Sequence, residues 1–71
     1  MAGNTVKLKM KWKSDREASF LVELGKRDLF IPRSLVEYRK KIPDGVVTWI
    51  EFTLPAWKVR QEGLEMYQVL G

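Results

Sequence analysis

The sequence predicts a mainly β domain (β plus short α). It would be a small bent antiparallel sheet or partly open barrel of four to five strands, with one short helix after the Val46–Leu54 strand. Three observations predict this class. Apolar and polar residues alternate over several short segments, turns rich in Gly and Pro separate those segments, and 71 residues suffice for one small domain, residues 1–71. Residues 1–4 are expected to form a flexible N-terminus.

The first strand has the strictest alternation in the chain. Residues 6–13 read Val-Lys-Leu-Lys-Met-Lys-Trp-Lys. Side chains on a strand point to opposite faces with a period of two, so the four apolar residues share one face. The other face carries Lys7, Lys9, Lys11 and Lys13.

Two further strands follow and complete a meander. Residues 18–24 alternate again, and a four-residue hairpin loop is predicted at residues 25–28, with Gly25 free to take a positive φ. The third strand, residues 29–31, ends at Pro32 because proline cannot donate to a ladder.

The next segment is predicted to contain a helical turn. Residues 34–37 (Ser-Leu-Val-Glu) fit the capping-box pattern. A turn is predicted at residues 42–45, which limits any helix here to one or two turns. A single helical turn running into a short strand is favoured, and a short extended stretch over residues 35–39 is the alternative.

The Val46–Leu54 strand is rich in β-branched and aromatic residues on both faces, which is typical of a central strand. Pro55 then favours a helix start, so a two-turn helix is predicted over residues 56–62. Gly63 suits the C′ position, and Leu64 is expected to pack back across it. Residues 65–70 are either a closing strand or an ordered tail.

The composition excludes several kinds of site. The chain has no Cys and no His, which excludes disulfides and Cys/His zinc sites and removes the usual proton-transfer residue. The carboxylates show no spacing suited to acid–base work or metal binding. No enzyme activity, metal or cofactor is therefore expected. No apolar run is long enough for a membrane span, so a cytoplasmic protein without a membrane partner is expected.

Charge is unevenly placed along the chain. The formal net charge is +4, from 13 basic and nine acidic residues. From Ser14 onward the chain has nine basic and nine acidic residues, so the surplus of positive charge belongs to the lysine strand. Lysines on one strand face are spaced by about 6.5–7 Å, close to the spacing of phosphates along a nucleic-acid strand. The alternative is a solvated face whose lysines prevent edge-to-edge pairing.

Aromatic residues beside basic ones suggest base stacking. Trp49, on the strand face opposite Ile50, and Tyr38, next to Arg39-Lys40-Lys41, are the candidates. Trp49 could instead cover the second face of the sheet under the helix. The other aromatic residues are expected in the core: Trp12, Phe20, Phe30, Phe52 and Trp57.

The run Arg39, Lys40 and Lys41 is a second basic cluster. Together with Lys26 and Arg27 it could widen a positive patch. A solvated loop is the favoured interpretation, because short charge runs are usually solvated.

Two segments carry a resemblance to known proteins. Residues 30–36 (Phe-Ile-Pro-Arg-Ser-Leu-Val) resemble an aromatic-Ile-Pro-Lys/Arg-Ser stretch after a hairpin, and Leu54-Pro55-Ala56-Trp57 followed by Gly63-Leu64 resembles a Pro-x-Trp helix closing at Gly-Leu. This combination is similar to small, mostly uncharacterised proteins encoded by phages and prophages. The resemblance covers residues 18–64. It implies a protein of the bacterial host cytosol, encoded among genes for phage DNA metabolism or host takeover. It carries over no catalytic residue and does not include the lysine strand.

Two functions of different classes remain. The first is a phage-type accessory protein that binds single- or double-stranded nucleic acid non-specifically, with Lys7, Lys9, Lys11 and Lys13 on phosphates and Trp49 or Tyr38 stacking. The second is a non-enzymatic protein-interaction module. It would bind or inhibit an acidic host protein, or form a homodimer that stabilises a small core.

Overall fold

The computed structural model of the chain describes residues 4–69. Five strands form one antiparallel sheet that is not closed, with one short helix after the last strand, which confirms the predicted class. The elements are β1 (Thr5–Asp15), β2 (Ser19–Leu24), β3 (Arg27–Pro32), a 3₁₀ turn (Arg33–Leu35), β4 (Arg39–Asp44), β5 (Val47–Pro55), α1 (Ala56–Glu62) and a second 3₁₀ turn (Glu65–Tyr67). Among residues 4–69, no helix is long and apolar enough to cross a membrane.

Strand β1 lies at the centre of the sheet, whose order is β3-β2-β1-β5-β4. It pairs with β5 from Thr5 to Lys11 and with β2 from Lys11 to Asp15. Its register shifts between Trp12 and Ser14, which makes a bulge at Lys13. A bulge bends the strand and increases its twist. The sheet therefore curls where β1 exchanges one partner for the other, and the chain passes from the edge strand β3 to the opposite edge strand β4 through residues 33–38.

The core lies on one side of the curled sheet, beneath α1. Phe20 on β2 and Phe52 on β5 pack edge to face, with ring centroids 5.2 Å apart. On the core side of the central strands, buried residues alternate with outer-face residues as predicted, except that Val6, Trp12 and Thr48 near the strand ends are half-buried. The remaining fully or almost fully buried residues are Leu8, Met10, Val22, Ile31, Ile50, Leu54, Val59 and Leu64.

Helix α1 ends as the sequence predicts. Gly63 has a φ of +69°, and its N–H donates to the Arg60 carbonyl. The N–H of Leu64 donates to the Val59 carbonyl at 3.0 Å. This pair of bonds is a Schellman motif. Leu64 is fully buried beside Val59 in the core, which confirms that it packs back across the glycine.

The turn between β2 and β3 is shorter than predicted. Leu24 pairs with Arg27, so the loop is Gly25-Lys26 and not the four-residue loop over residues 25–28. Gly25 has a φ of +62° at the first loop position. A two-residue hairpin needs a residue with positive φ there, because such turns match the twist of the flanking strands.

The prediction of a turn at residues 42–45 is wrong. These residues, except Gly45, belong to β4, and the turn is Gly45-Val46. Pro43 is tolerated inside β4 because β4 is an edge strand, where one side needs no ladder bonds. Strand β5 begins at Val47, one residue later than predicted. It lies between two other strands, as predicted, and its side chains alternate between the two faces of the sheet in the predicted order.

The capping box over residues 34–37 does not form. The 3₁₀ turn begins at Arg33 and has no side-chain cap. The backbone N–H groups of Glu37 and Tyr38 instead donate to Thr53 Oγ1, at 3.2 and 3.1 Å. The favoured order, one helical turn followed by a short strand, is confirmed.

The end of the described chain is an ordered tail. Gln68 forms an isolated antiparallel bridge with Leu8, and the Val69 N–H donates to the Lys7 carbonyl at 2.8 Å. These contacts follow the second 3₁₀ turn, so residues 65–69 do not form a full closing strand. Leu70, the predicted end of that strand, lies outside the described residues, as do residues 1–3 of the N-terminal segment 1–4 that is expected to be flexible. The carbonyl of Asn4, the last residue of that segment, accepts the N–H of Ala56 at 2.8 Å.

Two aromatic residues expected in the core are exposed. Phe30 is 55% exposed and Trp57 51% exposed. In β3 the neighbours Leu29 and Ile31 pack on the core, which turns Phe30 to the other face. In α1 the buried residue is Val59, so Trp57 lies on the solvent side. Trp12 is half-buried against the core.

Candidate nucleic-acid interface

The face of the sheet away from α1, called the outer face here, carries the lysines of β1. The register places Lys7 opposite Thr53, Lys9 opposite Glu51 and Lys11 opposite Trp49 on β5. Strand β4 adds Lys40 beside Glu51 and Ile42 beside Trp49. Tyr38, just before β4, is held at the edge of the same face because its carbonyl accepts the N–H of Thr53.

Lys13 lies at the bulge of β1, so the strict alternation ends before it. Ser14 takes the next outer-face position, opposite Leu21. The ammonium group of Lys13 still reaches the outer face, where Nζ lies 3.8 Å from Oδ1 of Asp28. All four lysines of the predicted set therefore point to one side of the sheet.

The surplus charge of the lysine strand is partly neutralised by its neighbours. Lys11 Nζ lies 3.8 Å from Glu23 Oε1, and Lys13 is paired with Asp28. Glu51 stands directly opposite Lys9. By residue count the surplus positive charge belongs to this strand, as predicted. In the folded chain, acidic side chains of neighbouring strands offset part of that charge. Lys7 and Lys9 make no ion pair within residues 4–69.

Two aromatic rings lie directly beneath the unpaired lysines. Lys7 Nζ is 5.1 Å from the centroid of the Tyr38 ring, and Lys9 Nζ is 5.7 Å from that of Trp49. Tyr38 is 41% exposed, and Trp49 is half-buried. The alternative that places Trp49 under the helix is wrong, because α1 packs on the core side of the sheet through Val59.

The basic run 39–41 is a strand and not the favoured solvated loop. Because strand side chains alternate, Lys40 lies on the outer face while Arg39 and Lys41 point to the other side. An edge strand such as β4 tolerates these charges because one of its sides has no partner strand. Lys26 and Arg27, at the β2–β3 turn, are separated from β4 by β1 and β5 and do not widen this cluster.

Arg39 and Lys41 converge with a third cation on Asp15. Lys41 Nζ lies 2.6 Å from Asp15 Oδ2, and Arg39 Nη1 and Arg33 Nη2 lie 3.8 and 3.7 Å from Oδ1. The Trp12 indole N–H also donates to Oδ1, at 3.2 Å. The hydrogen bond from Lys41, ahead of the opposing effect of burial, lowers the pKa of Asp15 below 3.8.

A shallow cleft of about 230 Å³ lies beside this cluster, lined by Arg33, Val36, Glu37, Tyr38 and Arg39. Tyr38 belongs both to the cleft and to the edge of the outer face. Basic groups thus continue from Lys7 and Lys40 around Tyr38 to Arg39, although Glu37 interrupts them with a negative charge.

Sequence reasoning missed a third aromatic residue on the outer face. Phe30 pairs with Leu21 in the register, and Leu21 pairs with Ser14 of β1. The Arg16 guanidinium lies 5.7 Å from the centroid of the Phe30 ring. The alternation of Leu29, Phe30 and Ile31 was the available signal, since only one of the two faces can be the core.

Within residues 4–69, no three acidic side chains lie close enough to hold a metal ion. Neither a protein-family model, nor a curated protein, nor a solved structure gives a significant match to the chain.

Proposed function

We propose that this chain binds nucleic acid non-specifically through the outer face of its sheet. In the setting that the resemblance to phage-encoded proteins implies, it would be an accessory protein and not an enzyme. The proposal depends on one observation: Lys7 lies over the ring of Tyr38 and Lys9 over the ring of Trp49, and neither lysine makes an ion pair within residues 4–69.

Each such pair supplies both parts of a nucleotide contact. When the ammonium group leaves the ring for a phosphate, it releases the counterions of that phosphate and uncovers a ring face on which a base can stack. Lys7 and Lys9 are spaced by about 6.7 Å along β1, and Lys40 lies across Glu51 from Lys9. Lysines and ring faces read no base-edge pattern, which is why the binding is non-specific.

The test is a fluorescence-anisotropy titration with a labelled oligonucleotide of about 12 nucleotides, repeated between about 50 and 200 mM salt. A triple variant, Lys7→Ala, Lys9→Ala and Lys40→Ala, removes the unpaired cations of the outer face. We expect weaker binding and a salt slope smaller by about 2, which corresponds to three lost phosphate contacts on a single strand.

A matched control removes the same net charge elsewhere. Lys26→Ala, Arg27→Ala and Arg60→Ala change three exposed cations away from the outer face. This variant should bind almost as the parent does. Equal losses in the two triple variants would reduce the effect to net charge and contradict a site on the outer face.

Absence of binding by the parent at low salt would overturn the proposal. The alternative, an acidic protein partner, would then be tested by a pull-down from nuclease-treated bacterial lysate with the parent and the outer-face variant as baits. Light scattering of the parent tests the homodimer.

A further inference from the structure

Phe30 is an exposed aromatic residue that the core does not use. It is 55% exposed on β3, while its neighbours Leu29 and Ile31 pack inward. It stands beside Leu21, which is 9% exposed although it lies on the outer face. This ring exposes apolar surface to water and does not pack against the core.

Phe30 repeats the arrangement seen twice elsewhere on the same face. The Arg16 guanidinium lies over its ring at 5.7 Å, as Lys7 and Lys9 lie over Tyr38 and Trp49. Cation–ring contacts also occur on the inner side of the sheet, where Lys41 lies over Trp12 and Arg39 over Phe20. What sets Phe30 apart is its exposure, because a base can reach its ring but cannot reach the fully buried ring of Phe20.

The three rings form a diagonal across the sheet. Tyr38 lies beside β4, at the level of Lys7; Trp49 lies on β5, at the level of Lys11; and Phe30 lies on β3, at the level of Ser14. Measured along the curved surface of the sheet, with strand spacings of about 4.8 Å and a rise of about 3.4 Å per residue, the diagonal is about 30 Å long. At the about 3.4 Å per nucleotide of a stacked strand, this is about nine nucleotides, and fewer for an extended strand.

We propose that the ligand is a single strand that runs along this diagonal, with Phe30 as a third stacking platform and Arg16 on a neighbouring phosphate. The proposal rests on the function proposed above and specifies its ligand. Bases in a duplex stack on each other and cannot reach three separate rings, whereas a single strand has free base faces. The length fits the about 4–16 nucleotides that single-strand-binding domains cover.

The test compares Phe30→Leu with Phe30→Tyr in binding to a labelled thymidine oligonucleotide of about 12 nucleotides. Leucine keeps an apolar side chain but no stacking face, and tyrosine keeps the ring. We expect Phe30→Leu to weaken binding about ten-fold, the loss of one stacked base. The salt slope should stay unchanged because no charge is lost. Phe30→Tyr should bind as the parent does.

Trp57→Leu is the matched control, because Trp57 is similarly exposed at 51% but lies on α1 on the opposite side of the sheet. It should leave the affinity unchanged. Far-ultraviolet circular dichroism establishes that each variant is folded. An oligonucleotide of about four nucleotides is too short for the diagonal, so the loss caused by Phe30→Leu should be smaller with it.

Two outcomes would overturn this proposal while leaving the proposed function intact. In the first, the parent binds and the triple lysine variant does not, but Phe30→Leu binds as tightly as the parent. In the second, a duplex of the same length competes as well as the single strand. Failure of the proposed function has a different signature, since the parent itself would not bind.

Discussion

Asp15 is a single carboxylate that ties together three separate parts of the chain. It ends β1, yet its oxygens lie within 4 Å of cations from the 3₁₀ turn, Arg33, and from β4, Arg39 and Lys41. Each of these exposed pairs is weak by itself, because solvent and salt screen it. Several charges that share one carboxylate form a network, and this network spans the gap between the two edges of the open sheet.

Replacing Asp15 with Asn removes the charge and keeps the size. The pKa of Asp15 is lowered in the folded chain, chiefly by the hydrogen bond from Lys41. A lowered pKa stabilises the fold above the unfolded value and loses that effect as the pH falls through the folded value. We expect the variant to unfold more easily than the parent by up to about 1 kcal/mol near neutral pH. The difference should shrink below about pH 4. Urea unfolding at several pH values measures it, and a difference that is constant with pH would contradict this role.

At the scale of elements, the strands with a regular alternation of apolar and polar residues were predicted well, and the extent of the edge strand β4 was not. The alternation in β1 and β5 gave both faces of the central pair, because those strands are buried on one side. Strand β4 was predicted only as a short strand that ends before a turn at residues 42–45, because its basic run and Pro43 both argue against a longer strand. An edge strand accepts both, since one side of it has no partner to satisfy. Edge position is a property of the sheet and is not written in the local sequence.

The end of α1 offers a test of local backbone strain. Gly63 has a φ of +69°, and a Cβ built there meets nothing within 4 Å, so a substitution is opposed by backbone conformation alone. Gly63→Ala should lower the free energy of unfolding by about 1–2 kcal/mol. Gly63→Asn should lower it less, because asparagine adopts the left-handed region more readily. Urea unfolding compares the two variants. Equal stability of the alanine variant and the parent would show that the Schellman motif does not fix the end of the helix.

For the whole molecule, the sequence predicted which side chains of β1 and β5 share a face but could not give the charge of that face. Trp49 and the lysines of β1 follow from alternation within their own strands. The pairs Lys11–Glu23 and Lys13–Asp28 depend on the register of β1 against β2 and β3, which no local pattern specifies. Phe30 was assigned to the core because a small domain needs its aromatic residues. The curled sheet instead fills its core with Phe20 and Phe52 and leaves Phe30 outside.

The Phe20–Phe52 contact joins the two halves of the sheet across β1, and its loss should be felt by the whole molecule. Both rings are fully buried, with centroids 5.2 Å apart. Truncation of a buried Phe to Ala costs about 3–5 kcal/mol. A chain of this length has a total stability of about 4–11 kcal/mol. We therefore expect Phe20→Ala to be largely or wholly unfolded at 37 °C, and Phe20→Leu to fold with a lower Tm. Thermal unfolding followed by circular dichroism measures both. A Phe20→Ala variant that melts within a few degrees of the parent would mean that the two halves of the sheet are held together by other contacts.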